Sequence, residues 1–388
     1  MSVPAFAARA RALGLLAFAL VLSMTTWFSA SAVIPQLREE WNLSDTGAAW
    51  LTIAVQLGFV VGALVSSVFN VADLVAPRIV ILAGSLGAAS ANVLLVLAAS
   101  ATAAVPLRLA TGFFLAGVYP PALKLMSTWF RKGRGTALGI LVGALTLGSA
   151  APHLVNGLGG LDWHVVVYAT SALTAAGGLL AGFAVPEGPF PFPRAIFAPR
   201  QVRRVFANRG VRLASLGYFG HMWELYAMWA WFLVFFSTVD PGRGAAYATF
   251  AVIGIGALGC WAGGLLGDRF GRAETTAAMM AASGLCSLGI GLLLGAPTWL
   301  LLLVALLWGF TVVADSAQFS TLVTEHADQA YVGTAVTLQL AVGFTLTVAT
   351  IWLVPVFEDA VGWRWAFAFL APGPALGVLA MLRLRVVS

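Results

Sequence analysis

Apolar runs of about twenty residues, separated by short charged loops, recur along the whole chain. A helix that spans a bilayer needs ~20 predominantly apolar residues, so each run predicts one membrane helix. Outer-membrane strands would instead alternate apolar and polar residues, which these runs do not. Twelve segments are predicted, at residues 12–36, 48–71, 79–98, 104–127, 135–158, 164–184, 211–237, 245–266, 274–294, 298–322, 332–356 and 363–382.

The composition supports a membrane protein. Of the 388 residues 60% are hydrophobic and 9% are charged, whereas a soluble domain carries about 25% charged residues. The net charge is +6, and most basic residues cluster in short loops, which argues against a nucleic-acid-binding surface. The two cysteines lie in apolar runs, so they predict packing residues and no disulfide framework.

The loops that alternate along the chain differ in their basic residues. If the N-terminus is cytoplasmic, most Lys and Arg residues fall in cytoplasmic loops, and only Arg38, Arg243 and Arg364 fall outside. Cytoplasmic loops carry the excess of Lys and Arg in membrane proteins. We therefore predict a multi-pass protein of the inner (plasma) membrane with both termini in the cytoplasm.

The two ends of the chain repeat each other weakly. Short matches recur at offsets of 195–200 residues, as in Gly112-Phe113 with Gly309-Phe310, and Gly135-Thr136-Ala137 with Gly333-Thr334-Ala335. Such spacing indicates two related halves. We predict a first half at 1–184, a cytoplasmic linker at 185–210 and a second half at 211–388. The linker begins with prolines and ends with arginines, and is either a plain solvated linker or a basic helix on the inner leaflet.

The loop between segments eight and nine runs from Gly264 to Arg272 as G-L-L-G-D-R-F-G-R. Asp268 is placed to cap a helix or to pair with an arginine, and Gly271 permits a turn with positive φ. Arg269 and Arg272 suit a cytoplasmic loop. The spacing G-x-x-x-D-R-x-G-R resembles the loop signature of the major facilitator superfamily of transporters. The first half keeps Asp73 and Arg78 of that signature but has Leu74 and Ala76 where arginine and glycine are usual.

The resemblance covers the whole chain. It implies an all-α integral membrane fold of twelve helices in two pseudo-symmetric halves, alternating access, no cofactor, and a gating role for the loop signature. Arg108 and Gly112 resemble the family's R-x-x-x-G, and the stretch 120–135 resembles the organic-anion and nitrate/cyanate porter branches. Segment five has Gly148 and Pro152 but lacks the G-P-x-x-G typical of many drug/proton antiporters, which disfavours efflux.

Segment seven carries ionisable residues at mid-membrane. Its residues Gly217, His221, Glu224 and Met228 share one helical face. A histidine and a glutamate one turn apart can exchange a proton, which indicates proton coupling or solute contact; the alternative is a structural pair. The same face offers too few ligands for a closed metal site.

Other polar residues inside the segments are also candidates. Asp315 is expected to face a central cavity or to bond a neighbouring helix. Arg108 could bind an anion, form a structural pair or tune a proton site. His153 follows a kink at Pro152 and is either packed or functional. Weaker candidates for the cavity lining are Gln56, Tyr119, Gln318, Gln339, Trp27 and Trp223.

No nucleotide-binding signature is present, so transport would draw on an ion or solute gradient. The sequence therefore predicts a non-enzymatic secondary transporter, a proton-coupled symporter for a small polar, anionic solute. Its expected partners are a small-molecule substrate, protons and the lipid bilayer, and it is expected to be a monomer. The alternatives are proton-driven efflux of cationic or drug-like compounds, and a non-transporting receptor or scaffold in the same fold.

Overall fold

The computed structural model describes residues 6–69, 71–130, 134–160, 162–190, 202–328 and 332–386. Regular secondary structure in these ranges is helical throughout. Linker residues 191–201 and the side chain of Asp73 lie outside the described part, so the predictions made for them stay predictions.

The helices follow the predicted segments closely. In the first half they are α1 Phe6–Ser23, α2 Ile34–Trp41, α3 Asp45–Val68, α4 Val71–Leu74, α5 Pro77–Val93, α6 Ala101–Leu115, α7 Tyr119–Ser127, α8 Arg134–Leu158 and α9 Trp163–Ala184. In the second half they are α10 Val202–Ala207, α11 Arg209–Ser237, α12 Arg243–Gly254, α13 Gly256–Phe270, α14 Arg272–Gly289, α15 Thr298–Ala314, α16 Ser316–His326, α17 Val332–Val361, α18 Trp363–Ala366 and α19 Pro372–Arg385.

Eleven helical stretches in the described part are long and apolar enough to cross a bilayer. The predicted segment seven, α11, is not one of these eleven. It is a helix of 29 residues whose histidine, glutamate, tryptophans and tyrosines lower its mean hydropathy, yet most of its side chains are buried by other helices. The count of twelve membrane helices therefore stays a prediction, and eleven are shown.

Segment one is not the single helix that was expected. It is α1 and α2 joined by turns at residues 24–30 and one turn of 3-10 helix at Ser31–Val33. Pro35 occupies the first turn of α2, where its missing N–H does no harm. Hydroxyl side chains in the turns also bond backbone carbonyls, with Thr25 bound to Thr170 O at 2.9 Å and Ser29 to Thr26 O at 3.1 Å.

Segments four and ten are each interrupted at a matching place. The first breaks at residues 116–118, just before the prolines that open α7, and the second breaks at Asp315. Prolines at the start of α7 cannot continue the hydrogen bonds of the preceding helix. No proline lies in α16, which begins at Ser316 directly after the break at Asp315. The fourth helix of each half is therefore made of two stacked pieces.

Within each half, the fourth helix packs directly on the second. A Cβ at Gly112 in α6 would overlap the carbonyl of Val55 in α3. Likewise, a Cβ at Gly309 in α15 would overlap the carbonyl of Val252 in α12. Only glycine allows backbones to approach this closely. The sequence match between these two glycines thus corresponds to the same contact in both halves.

The most extensive contacts between the halves are those of α3 with α17 and of α8 with α12 and α13, and α16 also packs on α8. Contacts along α8 run from Gly135, which faces Asp268 and Arg272, to Gly157, which faces the ring of Tyr247. The halves therefore touch from one end of the bundle to the other, and the region between them is enclosed.

Candidate solute and proton sites

Six aromatic rings meet where the two halves face each other. Trp27, Phe28 and Phe59 come from the first half, and Tyr226, Trp229 and Phe344 come from the second. Across the boundary the ring centroids of Phe59 and Phe344 are 4.7 Å apart, and those of Trp27 and Tyr226 are 5.9 Å apart. We call these six residues the ring cluster.

The ring cluster is sealed from solvent, with Phe344 the most exposed member at 5%. Trp27 and Phe28 lie in the turns after α1, whereas Phe59, Tyr226 and Phe344 lie near the middle of long helices. Packed aromatic pairs of this kind contribute ~0.5–1.5 kcal/mol each beyond the area they bury. The cluster therefore holds the halves together in the enclosed state, and it must part if either side opens.

Arg108 is fully buried, and its side chain points into the interior of the first half. Its Nη1 donates to Thr26 O at 2.9 Å, to Ser29 Oγ at 3.0 Å and to Asn92 Oδ1 at 3.1 Å. Its Nε donates to Leu51 O at 3.2 Å, and its Nη2 donates to Trp27 O. The guanidinium thus binds the carbonyls that the broken first segment leaves without helical partners. Protein atoms take up its donors, and none of these contacts is with an acid.

His221 and Glu224 do not pair with each other as the sequence suggested. His221 Nδ1 lies 2.9 Å from Asp315 Oδ1, and its Nε2 is 2.8 Å from Ser316 Oγ. The first contact has ion-pair distance but lacks directed hydrogen-bond geometry. Both residues are almost fully buried. A histidine–carboxylate pair therefore connects α11 to the break between α15 and α16.

Glu224 occupies a separate polar pocket inside the second half. Its Oε1 accepts from Trp308 Nε1 at 2.8 Å, and its Oε2 accepts from Ser283 Oγ at 2.8 Å. The position of Glu224 on one face of α11 does not predict these hydrogen bonds, because the donors lie on other helices, α14 and α15. Both carboxyl oxygens have donors, as a buried carboxyl group requires.

The remaining candidates divide into three groups. Gln56, Gln339 and His153 are fully buried, and their polar side-chain atoms have no hydrogen-bond partner in the described part of the protein. Met228 is buried and Tyr119 half-buried. Two candidates are engaged elsewhere: Trp223 donates to Phe369 O at 3.3 Å, and Gln318 accepts from Arg272 Nη1 at 2.9 Å.

The loop signature forms a compact polar network at one end of the bundle. Arg272 reaches Asp268 at 3.3 Å and Glu325 at 3.1 Å. Gly271 has φ 101°, which confirms the predicted turn with positive φ. Asp268 and Arg272 also lie beside Gly135 at the start of α8, so this network contacts the other half.

The other members of the signature are placed as follows. Arg269 lies over the ring of Phe270 at 5.1 Å, Gly264 is buried in the middle of α13, and Arg78 is half-buried at the start of α5. These positions leave the gating role of the signature as a prediction.

Several functional candidates escaped the sequence analysis. Trp229 was not singled out, because an aromatic residue in a membrane helix usually packs against lipid or core. Asn92, an amide in an otherwise apolar segment, could have been noticed as a partner for Arg108. Ser283 and Ser316 gave no signal, since isolated serines are common in membrane helices.

The described part of the chain contains eleven helical stretches long and apolar enough to cross a bilayer, which define a multi-pass membrane protein. Comparison with family models agrees: the model described as Major Facilitator Superfamily matches residues 16–350. This chain belongs to that superfamily of secondary transporters. Comparison with curated proteins gives no match.

Proposed function

We propose that this chain carries a small polar solute across the inner (plasma) membrane by alternating access and couples that movement to protons, as a symporter. Membership of a transporter family supports the transport, and the enclosed boundary between the halves supports a state in which both sides are closed. The excess of basic residues supports a cytoplasmic position for the loop signature and for both termini.

The observation that carries proton coupling is the position of the His221–Asp315 pair. Asp315 ends α15 and precedes α16, so its carboxylate is disfavoured by the dipole of α15 and favoured by the dipole of α16. A proton gained or lost there changes the balance between the two helix ends. Since α16 contacts α8 of the other half, the change can bias the equilibrium between inward-open and outward-open states.

Glu224 is the second candidate for the proton. A carboxylate far from water is strongly disfavoured, so Glu224 is expected to hold a proton through part of the cycle. Its donors Trp308 and Ser283 lie on α15 and α14, and a charge change on Glu224 would act on the same fourth helix as Asp315.

The test compares Asp315→Asn and Glu224→Gln with the parent in proteoliposomes, using a solute found by thermal-shift screening of organic acids, inorganic anions, cationic drugs and uncharged polar compounds. Both variants mimic the protonated acid, so each is expected to retain counterflow and to lose accumulation driven by a pH gradient. Asp359→Asn, on the exposed end of α17, is the matched control and should accumulate solute normally.

Accumulation by both variants at the parental level would refute coupling through these acids. Loss of counterflow in a folded variant would instead assign the residue to solute binding or gating. No transport by the parent of any solute that binds would favour the alternative of a non-transporting receptor or scaffold.

Two predictions from the sequence, the preference for anions and the efflux of cations, gain no support from the contacts of the residues on which they rested. The anionic preference rested on Arg108, whose donors are taken up inside the first half. Cation efflux rested on Glu224 and Asp315, and both oxygens of Glu224 are already bonded to protein donors.

A further inference from the structure

A set of buried polar atoms between the halves has no hydrogen-bond partner in the described part of the protein. They are Nε1 of Trp27 and Trp229, the amide groups of Gln56 and Gln339, Oγ of Ser149, and both ring nitrogens of His153. Each of these residues is at most 1% exposed. More than 90% of buried polar groups in proteins are hydrogen-bonded, so a cluster of exceptions calls for a ligand or bound water.

These residues surround the ring cluster. Trp27 and Trp229 belong to it, and Gln56 lies one helical turn from Phe59 on the same face of α3. Gln339 is one turn before Gly343, which packs on the ring of Tyr218.

Ser149 and His153 approach the cluster from α8. They lie between Gly148, which packs on Met24, and Asn156, which donates to Ala32 O at 2.7 Å. They therefore run alongside the turns at residues 24–30 that carry Trp27 and Phe28. With Ser149 and His153, the lining of the midplane contains residues from both halves.

The chemistry of this lining is uniform. Indole N–H groups donate, carboxamides both donate and accept, and imidazole and hydroxyl groups can do either. None of these groups carries a fixed charge, while the ionisable groups Arg108 and Glu224 are occupied by protein partners. The carboxylate of Asp315 faces His221 at 2.9 Å, which supplies its counter-charge when the imidazole is protonated. An ion taken into such a site would lose its hydration without gaining a counter-charge.

We propose that the solute is uncharged, has one flat face that lies on the rings, and presents both hydrogen-bond donors and acceptors at its edge. Heteroaromatic amides and ring-shaped sugars share this chemistry. The proposal rests on the proposed function, since it names the class of solute that the transporter would carry.

The first test is binding to the purified full-length protein, measured by thermal shift without any gradient. Matched sets hold the scaffold constant and change the charge: nicotinamide with nicotinate and the N-methylnicotinamide cation, and glucose with glucuronate and glucosamine. We expect the uncharged member of at least one set to bind, at least ~10-fold more tightly than its charged partners. The set that responds distinguishes the amide from the sugar source.

Tightest binding by an anion or by a cation overturns the proposal, and so does a panel in which no uncharged member binds. Because binding is measured without flux, a bound but untransported solute would refute the proposed function and leave the solute class standing.

The second test uses two tryptophans on the same helix. Trp229 Nε1 has no hydrogen-bond partner among the described residues, whereas Trp231 Nε1 donates to Ile351 O at 2.8 Å. Trp229→Phe should therefore weaken binding of the uncharged probe ~5-fold with little change in melting temperature, because it removes one donor to the solute. Trp231→Phe should lower the melting temperature and leave the affinity within about 2-fold of the parent.

Unchanged affinity in Trp229→Phe, or an equal loss in both variants, would remove Trp229 from the site and overturn the assignment. Trp27→Phe provides a second variant with the same expectation, since its Nε1 also has no partner.

Discussion

Replacing Arg108 by leucine should destabilise the first half and leave solute selectivity unchanged. The guanidinium donates to five acceptors on three different stretches of chain, and three of those acceptors are backbone carbonyls. Leucine keeps the apolar stem but supplies no donor, so Trp27 O loses its partner. Thr26 O keeps the bond from Ser29 Oγ, and Leu51 O lies inside the helix α3, so these acceptors lose one of their donors.

The size of the effect follows from these contacts. A buried acceptor left unsatisfied costs about 1–3 kcal/mol and a typical hydrogen bond contributes about 0.5–1.5 kcal/mol, so one unsatisfied acceptor and four weakened ones set an upper range of about 3–9 kcal/mol. Leucine also removes the penalty for burying a charge, which offsets part of this loss. We expect a net destabilisation of about 3–5 kcal/mol, a shift on the order of 10 °C in the melting temperature. Arg108→Lys retains the charge with three donors and should fall between leucine and the parent.

The assay is thermal unfolding in detergent together with binding of matched anionic and uncharged probes. If Arg108→Leu melts like the parent but loses its affinity for anions, Arg108 is a solute ligand and the structural account fails. If Arg108→Lys restores anion binding without restoring stability, the same conclusion follows.

Two further predictions concern topology and the loop signature. Cysteines introduced at Ser44 and Asp240 should react with an impermeant reagent from outside sealed cells, and one at Arg200 should not; labelling at Arg200 would reverse the orientation. Asp268→Asn should change the transport rate more than the melting temperature, because the pair with Arg272 is partly exposed and such pairs contribute about 0–1 kcal/mol. Uptake kinetics identical to the parent would reduce the signature to a plain turn.

Local features of this fold were predictable from sequence. The local sequence around Gly271 was enough to predict a turn with positive φ, because glycine adopts that backbone conformation at no steric cost. Apolar length located eleven membrane helices, because the bilayer imposes the same requirement on each one. The family resemblance, drawn from the loop signature and the repeat, is confirmed over residues 16–350.

Partners across helices were not predictable. Periodicity places His221 and Glu224 on one face of α11, but the choice of Asp315 or Ser283 as a partner depends on how α14 and α15 pack. The interruption of the first segment was also missed. A run of apolar residues satisfies the hydropathy requirement whether or not the backbone stays helical, and only tertiary partners such as Arg108 stabilise the turns.

The interrupted first segment has a consequence for biosynthesis. The carbonyls of Thr26 and Trp27 receive their donor from Arg108, roughly eighty residues later in the chain. At ~5–20 residues per second, the ribosome delivers that donor about 4–16 s after the turns themselves. During this interval Arg108 is not available to the carbonyls of Thr26 and Trp27. These carbonyls must be hydrogen-bonded by water or by the insertion machinery, or the segment must adopt a more regular helix. The mature shape of the first segment is therefore acquired after insertion, when the fourth segment arrives beside it.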